Sequence, residues 1–300
     1  MSVLVSTLRS LLKQADAHMR AGRYAAALSA WEDLVQRSQE KTDRSMEVIA
    51  RSMRARCFLR RRDLDGAREE LSLAAMHLDP QNLESYGRYR SSLVRLAIEE
   101  GPDTARQELV DYLLWAEGFE AGEHVLDACV LLGQASEQTE RVEWLQRGVD
   151  YVLDRGEDEG LGSAFNQLGA ALDQIGRREE ALDGYQQALV WHRKFGTIRD
   201  VVGACWAVGA MACQVEDWPL AREALENAQM VADDAEGCDD LIALATADLA
   251  IVYEAAGDVI EARRLVLKAL ELSRQQDMGS FWPQRWNALL DHAKRLELTV

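Results

Sequence analysis

Hydrophobic and polar positions over residues 168–189 follow the pattern of two helices joined by a tight turn. Apolar residues recur at helical spacing as far as Ile175, Gly176 can end a helix in the left-handed conformation, and two glutamates then fall in the first turn of a second helix. The small residues Gly169 and Ala181 predict that the two helices approach each other closely. A bulky side chain at Ala181 would overpack this pair.

The same pattern recurs along the chain at intervals of 40 or 41 residues. Gly209 and Ala250 repeat the position of Gly169, and the offsets also fit around Ala15 and Ala55. The stretch between Ala55 and Gly169 has room for two further units, whose motif residues are poorer. The pattern therefore predicts seven helix-turn-helix repeats, numbered one to seven in chain order. Their predicted ranges are 2–40, 41–80, 81–117, 119–156, 158–195, 198–235 and 239–276.

This pattern resembles the motif of the tetratricopeptide repeat family. In that family a small residue and an aromatic residue in the first helix are followed by a turn glycine and by Ala, aromatic and Ala in the second helix. The match is best at 162–194, and repeats near 40 residues place the chain with the longer-repeat members. The resemblance implies an all-α fold in which residues 1–300 form one right-handed superhelical solenoid. It implies a binding scaffold, which by itself specifies no partner.

Residues 280–298 follow the last repeat and predict one more helix. The open end of a repeat stack is apolar and prone to aggregate, so we expect this helix to cap the stack. Phe281, Trp282 and Trp286 leave an alternative open, in which the aromatic side chains form a docking surface or a contact between two copies of the chain.

Composition agrees with an all-helical protein. Four prolines and 20 glycines in 300 residues leave little material for a sheet or a disordered linker. No apolar run reaches the roughly 18 residues of a transmembrane helix, and residues 1–20 lack the apolar core of a signal peptide. We therefore expect a cytoplasmic protein without membrane insertion.

Residue patterns typical of metal sites, cofactor sites and catalytic sites do not occur in the sequence. The five cysteines have no CxxC spacing, and the histidines are scattered one to a region. Phosphate-binding and hydrolase motifs are also missing. The acidic loops at 156–160 and 233–240 lack the ligand spacing of a calcium site. We expect no metal, no cofactor and no enzymatic activity.

The charges are distributed unevenly. Residues 1–100 hold 17 Lys and Arg against 14 Asp and Glu, a net charge of +3, whereas residues 101–300 have a net charge of −20. Arginines cluster over residues 51–62 and again over residues 88–95. Because the overall charge of −17 opposes a phosphate backbone, we interpret the arginines as solvated faces or inter-repeat ion pairs rather than a nucleic-acid site.

The resemblance also implies where a ligand would bind. In this family the first helices of successive repeats line a concave groove, and the positions three before, one after and four after the small packing residue share the face that lines it. The lysine, asparagine and arginine clamp of members that bind chaperone tails is not present at these positions. The candidate groove residues are Ser52, Arg56, Asn166, Ala170, Asp173, Trp206, Ala210, Cys213, Ala247, Ile251 and Glu254.

Two functional hypotheses follow. The first is a non-enzymatic scaffold or adaptor that binds a peptide or protein segment in the groove, chiefly through repeats five to seven. The second is a regulatory protein that senses a peptide or small ligand and acts in trans on a partner, similar to the bacterial peptide-pheromone receptors with longer repeats.

Overall fold

The computed structural model describes residues 2–20, 23–156, 160–233, 235 and 237–298 of the chain. These residues form sixteen helices and no strand, which confirms the predicted all-α fold. Contacts divide the chain into two blocks. The N-terminal block comprises residues up to 137 together with the end of α8, and the C-terminal block comprises Gln138–Val149 and the described residues from 160 onward.

In the N-terminal block, α1 packs against α2, α3 against α4, and α5 against α6. The first helix α3 also packs against α5, and α5 against α7, so first helices lie side by side. These helices are α1 (Ser2–Arg20), α2 (Tyr24–Glu40), α3 (Arg44–Arg60), α4 (Leu64–Ala75), α5 (Leu83–Glu100), α6 (Pro102–Gly118) and α7 (Gly122–Ala135), followed by α8 (Gln138–Leu153) at the division.

The C-terminal block contains the pairs α9 and α10, α11 and α12, and α13 and α14. Its helices are α9 (Leu161–Gln174), α10 (Arg178–Phe195), α11 (Ile198–Gln214), α12 (Trp218–Ala232), α13 (Asp239–Ala255), α14 (Val259–Gln275), α15 (Met278–Phe281) and α16 (Pro283–Arg295). Of the acidic loops considered in the sequence, residues 157–159, 234 and 236 lie outside the described residues, as do residues 21 and 22 of the first turn.

The turns inside the helix pairs of repeats five to seven each contain one residue with a positive φ. Gly176 and Gly257 adopt positive φ values of 79° and 81°, as expected for a residue that ends a helix. In repeat six Glu216 takes this position with φ 61°. Asp217 then caps α12 by accepting a hydrogen bond from the amide of Leu220. Such a cap stabilises a helix by roughly 1 kcal/mol.

Small residues set the distance between the helices of a pair. A Cβ atom added at Gly169 would lie 3.0 Å from the ring of Tyr185 and 3.1 Å from the carbonyl oxygen of Ala181. At Gly209 the added atom would lie 2.5 Å from Cγ of Leu225. The close approach predicted from the sequence is therefore present in both pairs.

The segment after repeat seven is a short helix and a longer one, not a single helix over 280–298. The break falls at Trp282, because Pro283 has no amide hydrogen to continue the hydrogen bonding of α15. Helix α16 packs against α14, and its residues Leu289 and Ala293 are buried in the core of the C-terminal block. Across the described residues, no helix is both long enough and apolar enough to cross a membrane.

We predict that two glycine substitutions in the same helix differ in their effect on stability. Gly209→Ala should lower the free energy of unfolding by roughly 1–2 kcal/mol, because the methyl group displaces Leu225 and overpacks the pair. Gly203→Ala is the control: its Cβ would meet Leu241 at an ordinary 3.8 Å, so the better helix propensity of alanine should leave stability equal or higher. Urea unfolding of both variants measures the difference. Equal stability of the two would contradict the packing role of Gly209.

Candidate functional site

The candidate groove residues of repeats five to seven lie on α9, α11 and α13 of the C-terminal block. Asn166 is exposed, and the other eight of these positions are half-buried. None of the nine is sealed inside the core, so each is at least partly accessible. The structure divides them into residues covered by the chain's own C-terminal segment and residues that stay open.

Trp206 belongs to the covered group. Its indole Nε1 donates a hydrogen bond to Oδ2 of Asp248 at 2.8 Å, and its ring lies 5.7 Å from that of Trp282. Arg285 of α16 bonds to the other oxygen of Asp248 at 3.2 Å, with its guanidinium 5.2 Å from the centre of the Trp206 ring. Trp206, Asp248 and Arg285 therefore fasten the C-terminal segment to α11 and α13.

Glu254 holds the far end of α16. Arg295 donates to its Oε2 at 3.0 Å, and Nε2 of the buried His292 lies 3.0 Å from the same oxygen without the alignment of a hydrogen bond. Burial lowers the pKa of His292 below its usual 6.5, against the opposing effect of the Glu254 charge. The imidazole therefore tends to be neutral in the folded protein.

A cavity of about 170 Å³ lies between α13 and α16. Ala247 and Ile251 line it on the α13 side, and Leu289 and Arg295 line it on the α16 side. Ala247 and Ile251 of repeat seven thus face a small cavity covered by α16, rather than an open surface.

The open group lies on α9 and on the exposed side of α11. Asn166 and Asp173 have no hydrogen-bond or ion-pair partner among the described residues. The charge of Asp173 contributes to raising the pKa of Tyr185 to about 12, although burial is the larger cause. Ala170 and Ala210 are small and half-buried, so a ligand side chain meets little obstruction beside them.

Cys213 is also half-buried, and burial raises the pKa of its thiol to about 12, with a further contribution from Asp248. Burial raises the thiol pKa of Cys57 to about 11. Both thiols are protonated at neutral pH and are poor nucleophiles and metal ligands. In the described part of the chain, no three His, Cys, Asp or Glu side chains form a group that could hold a metal ion.

The two candidate residues of repeat two differ from each other. Ser52 is fully buried, and its hydroxyl has no hydrogen-bond partner. The prediction that Ser52 lines the groove is therefore wrong, because neighbouring helices cover its side chain. Arg56, one turn further along α3, is half-buried, and its guanidinium lies 3.9 Å from Sδ of Met53.

A polar cluster around Asp127 lies near Arg56 and joins α5, α6 and α7 of the N-terminal block. Asp127 accepts hydrogen bonds from Arg95 at 2.8 Å, from the hydroxyl of Ser91 at 2.6 Å and from that of Tyr112 at 3.2 Å. The Arg95 charge holds the pKa of Asp127 down at about 2 in spite of its burial.

Arg88 and Asp16 form a second ion pair on this face. Both nitrogens of the Arg88 guanidinium bind the carboxylate of Asp16, at 2.8 and 3.0 Å. The pair connects α5 to α1, which are separated along the chain by repeat two.

Sequence reasoning missed Asp127 and Asp248. Asp248 stands two residues before the small residue Ala250, an offset that the groove rule did not include. Asp127 belongs to a repeat whose motif residues are too poor to set the register. For both, the only sequence signal is an aspartate between two apolar residues within a helix, which points to a buried partner.

Comparison with known proteins agrees with this geometry. A family model described as tetratricopeptide repeat matches residues 12–82. Residues 12–82 carry tetratricopeptide repeats. Among curated protein sequences, none matches the chain.

Solved structures with the same fold include tetratricopeptide repeat proteins. A signal transduction ATPase with numerous domains and a tetratricopeptide repeat sensor, from Pyrococcus horikoshii, has a TM-score of 0.66 and 14% identity; the match covers 96% of this chain and 45% of that one. The C-terminal part of a repeat-containing protein from Cytophaga hutchinsonii has a TM-score of 0.52 and 13% identity over 87% of this chain and 95% of that one.

A third solved structure is a Rap protein complexed with competence and sporulation factor. It has a TM-score of 0.55 and 13% identity, with 98% of this chain and 87% of that one covered. At these identities the similarity concerns the fold. This chain spans less than half of the length of the Pyrococcus horikoshii protein.

We predict that Arg285→Met lowers the free energy of unfolding by roughly 1–3 kcal/mol, because the buried Asp248 carboxylate loses its charged partner. Adding Asp248→Asn should recover part of this loss. Arg264→Met, which breaks an exposed ion pair with Glu261, is the control and should change stability by less than about 0.5 kcal/mol. The measurement is urea unfolding followed by tryptophan fluorescence. No recovery in the double variant would contradict the buried-charge explanation.

We also predict that His292 makes stability depend on pH. The pKa of His292 is lower in the folded protein than in the unfolded chain, so the unfolded chain binds the proton first as the pH falls. The free energy of unfolding is therefore at its full value above about pH 6.5 and decreases below that pH. His292→Gln should reduce the fall between about pH 7.5 and pH 5.5, measured by urea midpoints. Burial lowers the pKa of His192 in the same way, and His192 remains in both proteins, so the difference reports on His292. A variant as pH-sensitive as the wild type would refute this.

Proposed function

We propose that this chain is a non-catalytic cytoplasmic scaffold that binds a peptide or protein segment on the first helices of its C-terminal block. The observation that carries the proposal is the open face of α9 and α11, where Asn166 and Asp173 have no polar partner among the described residues and lie beside small residues. A carboxylate and an amide on such a face can bind the backbone and a basic side chain of a ligand.

The covered half of the face indicates what kind of ligand the open half accepts. Helix α16 is a segment of the same chain seated against α13, and it makes contact through Arg285, Trp286, His292 and Arg295. Its partners on α13 are the carboxylates of Asp248 and Glu254. A ligand for the adjacent open face would similarly offer basic and aromatic side chains, and the net charge of −20 over residues 101–300 favours its approach.

The similar solved structures support a binding role. One of them is a tetratricopeptide repeat sensor, and another was solved in complex with competence and sporulation factor. These structures support the proposal that this fold serves to bind another molecule. Homo-oligomer formation through Phe281, Trp282 and Trp286 stays a prediction, and among these side chains Phe281 is 76% exposed.

The alternative function is a regulatory sensor that acts in trans on a partner. Its specific support is the C-terminal segment itself, since a ligand that competed for α13 would release α16. Small-angle scattering with and without bound ligand distinguishes the two functions. Displacement of α16 would change the scattering profile, whereas a scaffold with a fixed face would leave it unchanged.

The test of the scaffold function starts with affinity capture of partners from the native host. We predict that Asp173→Arg weakens the captured interaction at least about tenfold, since it places like charge against a basic ligand group. Asp183→Arg on α10 is the control, because it changes the charge by the same amount. Asp183 is exposed and lies on a second helix, away from the first-helix face. Circular dichroism checks that both variants fold. Equal binding by Asp173→Arg and wild type would reject this face as the binding site.

A further inference from the structure

The cavity between α13 and α16 has a wall that is largely apolar. Five of the side chains that line it are apolar groups, each buried or half-buried: Leu244, Ile251, Met278, Trp286 and Leu289. The cavity volume is about 170 Å³. An apolar cavity of about 150 Å³ inside a protein binds benzene. The space is therefore sufficient for one six-membered ring with a small substituent.

Two polar side chains in this wall have unused hydrogen-bonding capacity. His292 and Ser273 are each only 4% exposed, and both line the cavity. The hydroxyl of Ser273 has no partner among the described residues, and the same is true of Nδ1 of His292. Because buried polar groups are normally hydrogen-bonded, these two point to a partner inside the cavity.

The surroundings of His292 make its Nδ1 a hydrogen-bond acceptor. Its Nε2 is fully buried and lies 3.0 Å from a carboxylate oxygen of Glu254. A neutral imidazole carries one proton, and a neighbouring carboxylate favours the tautomer with that proton on the nearer nitrogen. Nδ1 is then left unprotonated, so it can accept a hydrogen bond from a hydroxyl group.

The charged groups of the wall are already paired. The Asp248 carboxylate is 6% exposed and is bound by Arg285, and Arg295 is bound to Glu254. Burial raises the pKa of Asp248 and lowers that of His292, in both cases disfavouring the charged form. A charged ligand would enter a largely apolar space without a free counter-ion, which is unfavourable. The wall therefore favours a neutral ligand.

Met278 and Trp286 favour an aromatic ring over an aliphatic group. A thioether sulfur makes favourable contacts with aromatic rings, and the indole of Trp286 can pack edge to face against one. Water in the same space would bond to His292 or Ser273 but would meet few other polar groups. A ring that keeps one of these hydrogen bonds can therefore replace it with a gain in affinity.

A small molecule can reach this cavity from solvent. Ala288 and Arg295 of α16 line it and are exposed, and Ala247 and Ile251 of α13 are half-buried. The opening lies between the two helices, so entry of a single ring does not require either helix to unfold.

We propose that the cavity between α13 and α16 binds a small neutral aromatic alcohol of the phenol class. The ring lies among the apolar side chains, and its hydroxyl donates a hydrogen bond to Nδ1 of His292. The site is separate from the open face of α9 and α11, and the inference does not depend on peptide binding there. It adds a small molecule to the ligands of the protein, and the bound ring holds α16 against α13.

Three fluorinated probes of similar size test the site by fluorine NMR titration of the full chain. The probe para-fluorophenol should bind, and fluorobenzene should bind about tenfold more weakly because it lacks the hydroxyl. The third probe, para-fluorobenzoate, should also bind more weakly than para-fluorophenol, because its carboxylate is charged. Absence of para-fluorophenol binding, or an affinity no higher than that of either other probe, would overturn the proposal.

Two alanine variants of α13 locate the site. Ala247→Leu extends a larger side chain into the cavity and should weaken para-fluorophenol at least about tenfold. Ala255→Leu is the matched control, because Ala255 is exposed and outside the cavity, and it should bind as the wild type does. Circular dichroism checks that both fold. Unchanged binding by Ala247→Leu would contradict this location.

His292→Phe tests recognition of the hydroxyl, since it keeps a flat ring and removes the acceptor. The preference for para-fluorophenol over fluorobenzene should disappear, while fluorobenzene binding is retained. Equal weakening of both probes would indicate a purely structural role for His292 and would count against the proposal. If this variant does not fold, the probe series and Ala247→Leu still decide the outcome.

The variant Asp173→Arg separates this site from the proposed peptide-binding face. Asp173 lies on α9 and does not line the cavity, so its substitution should leave para-fluorophenol binding unchanged. Failure of the small-molecule site is thus distinguishable from failure of the scaffold function.

Discussion

Close contact between the two helices of a pair is the constraint on which the structure depends. Where the first helix carries glycine, as at Gly169 and Gly209, the second helix presses a large side chain against its backbone. This contact fixes which face of the first helix is buried and therefore which residues remain on the opposite face. The orientation of the first helix about its own axis thus determines both which residue packs against the second helix and which residues lie at the candidate binding positions.

This relation explains how far the sequence could predict the structure. The turn glycines, the small packing residues and the periodicity are local, and they placed the helix pairs of repeats five to seven close to their observed positions. The same offsets placed Asn166, Ala170 and Asp173 on an accessible face. The prediction for Ser52 was wrong because burial at this offset also depends on the neighbouring repeat.

The remaining features depend on contacts between residues far apart in the chain. Asp248 meets Trp206 from 42 residues away and Arg285 from 37, and Arg95 meets Asp127 from 32. No periodic pattern encodes these pairs, because each uses a side chain that differs from repeat to repeat. The sequence shows the abundance of charge and its asymmetry, whereas the choice of ion-pair partners depends on three-dimensional packing.

Because α16 covers α13, it limits the surface on which a bound polypeptide can lie. The same segment also holds Trp206 of α11, so of the candidate positions those on α9 are the ones it leaves wholly uncovered. A helix with its side chains is roughly 10 Å across, and an extended chain advances about 3.3 Å per residue, so only about three residues of a ligand can cross α9 at once. A ligand of the proposed face would therefore have to gain its remaining contacts from the uncovered part of α11.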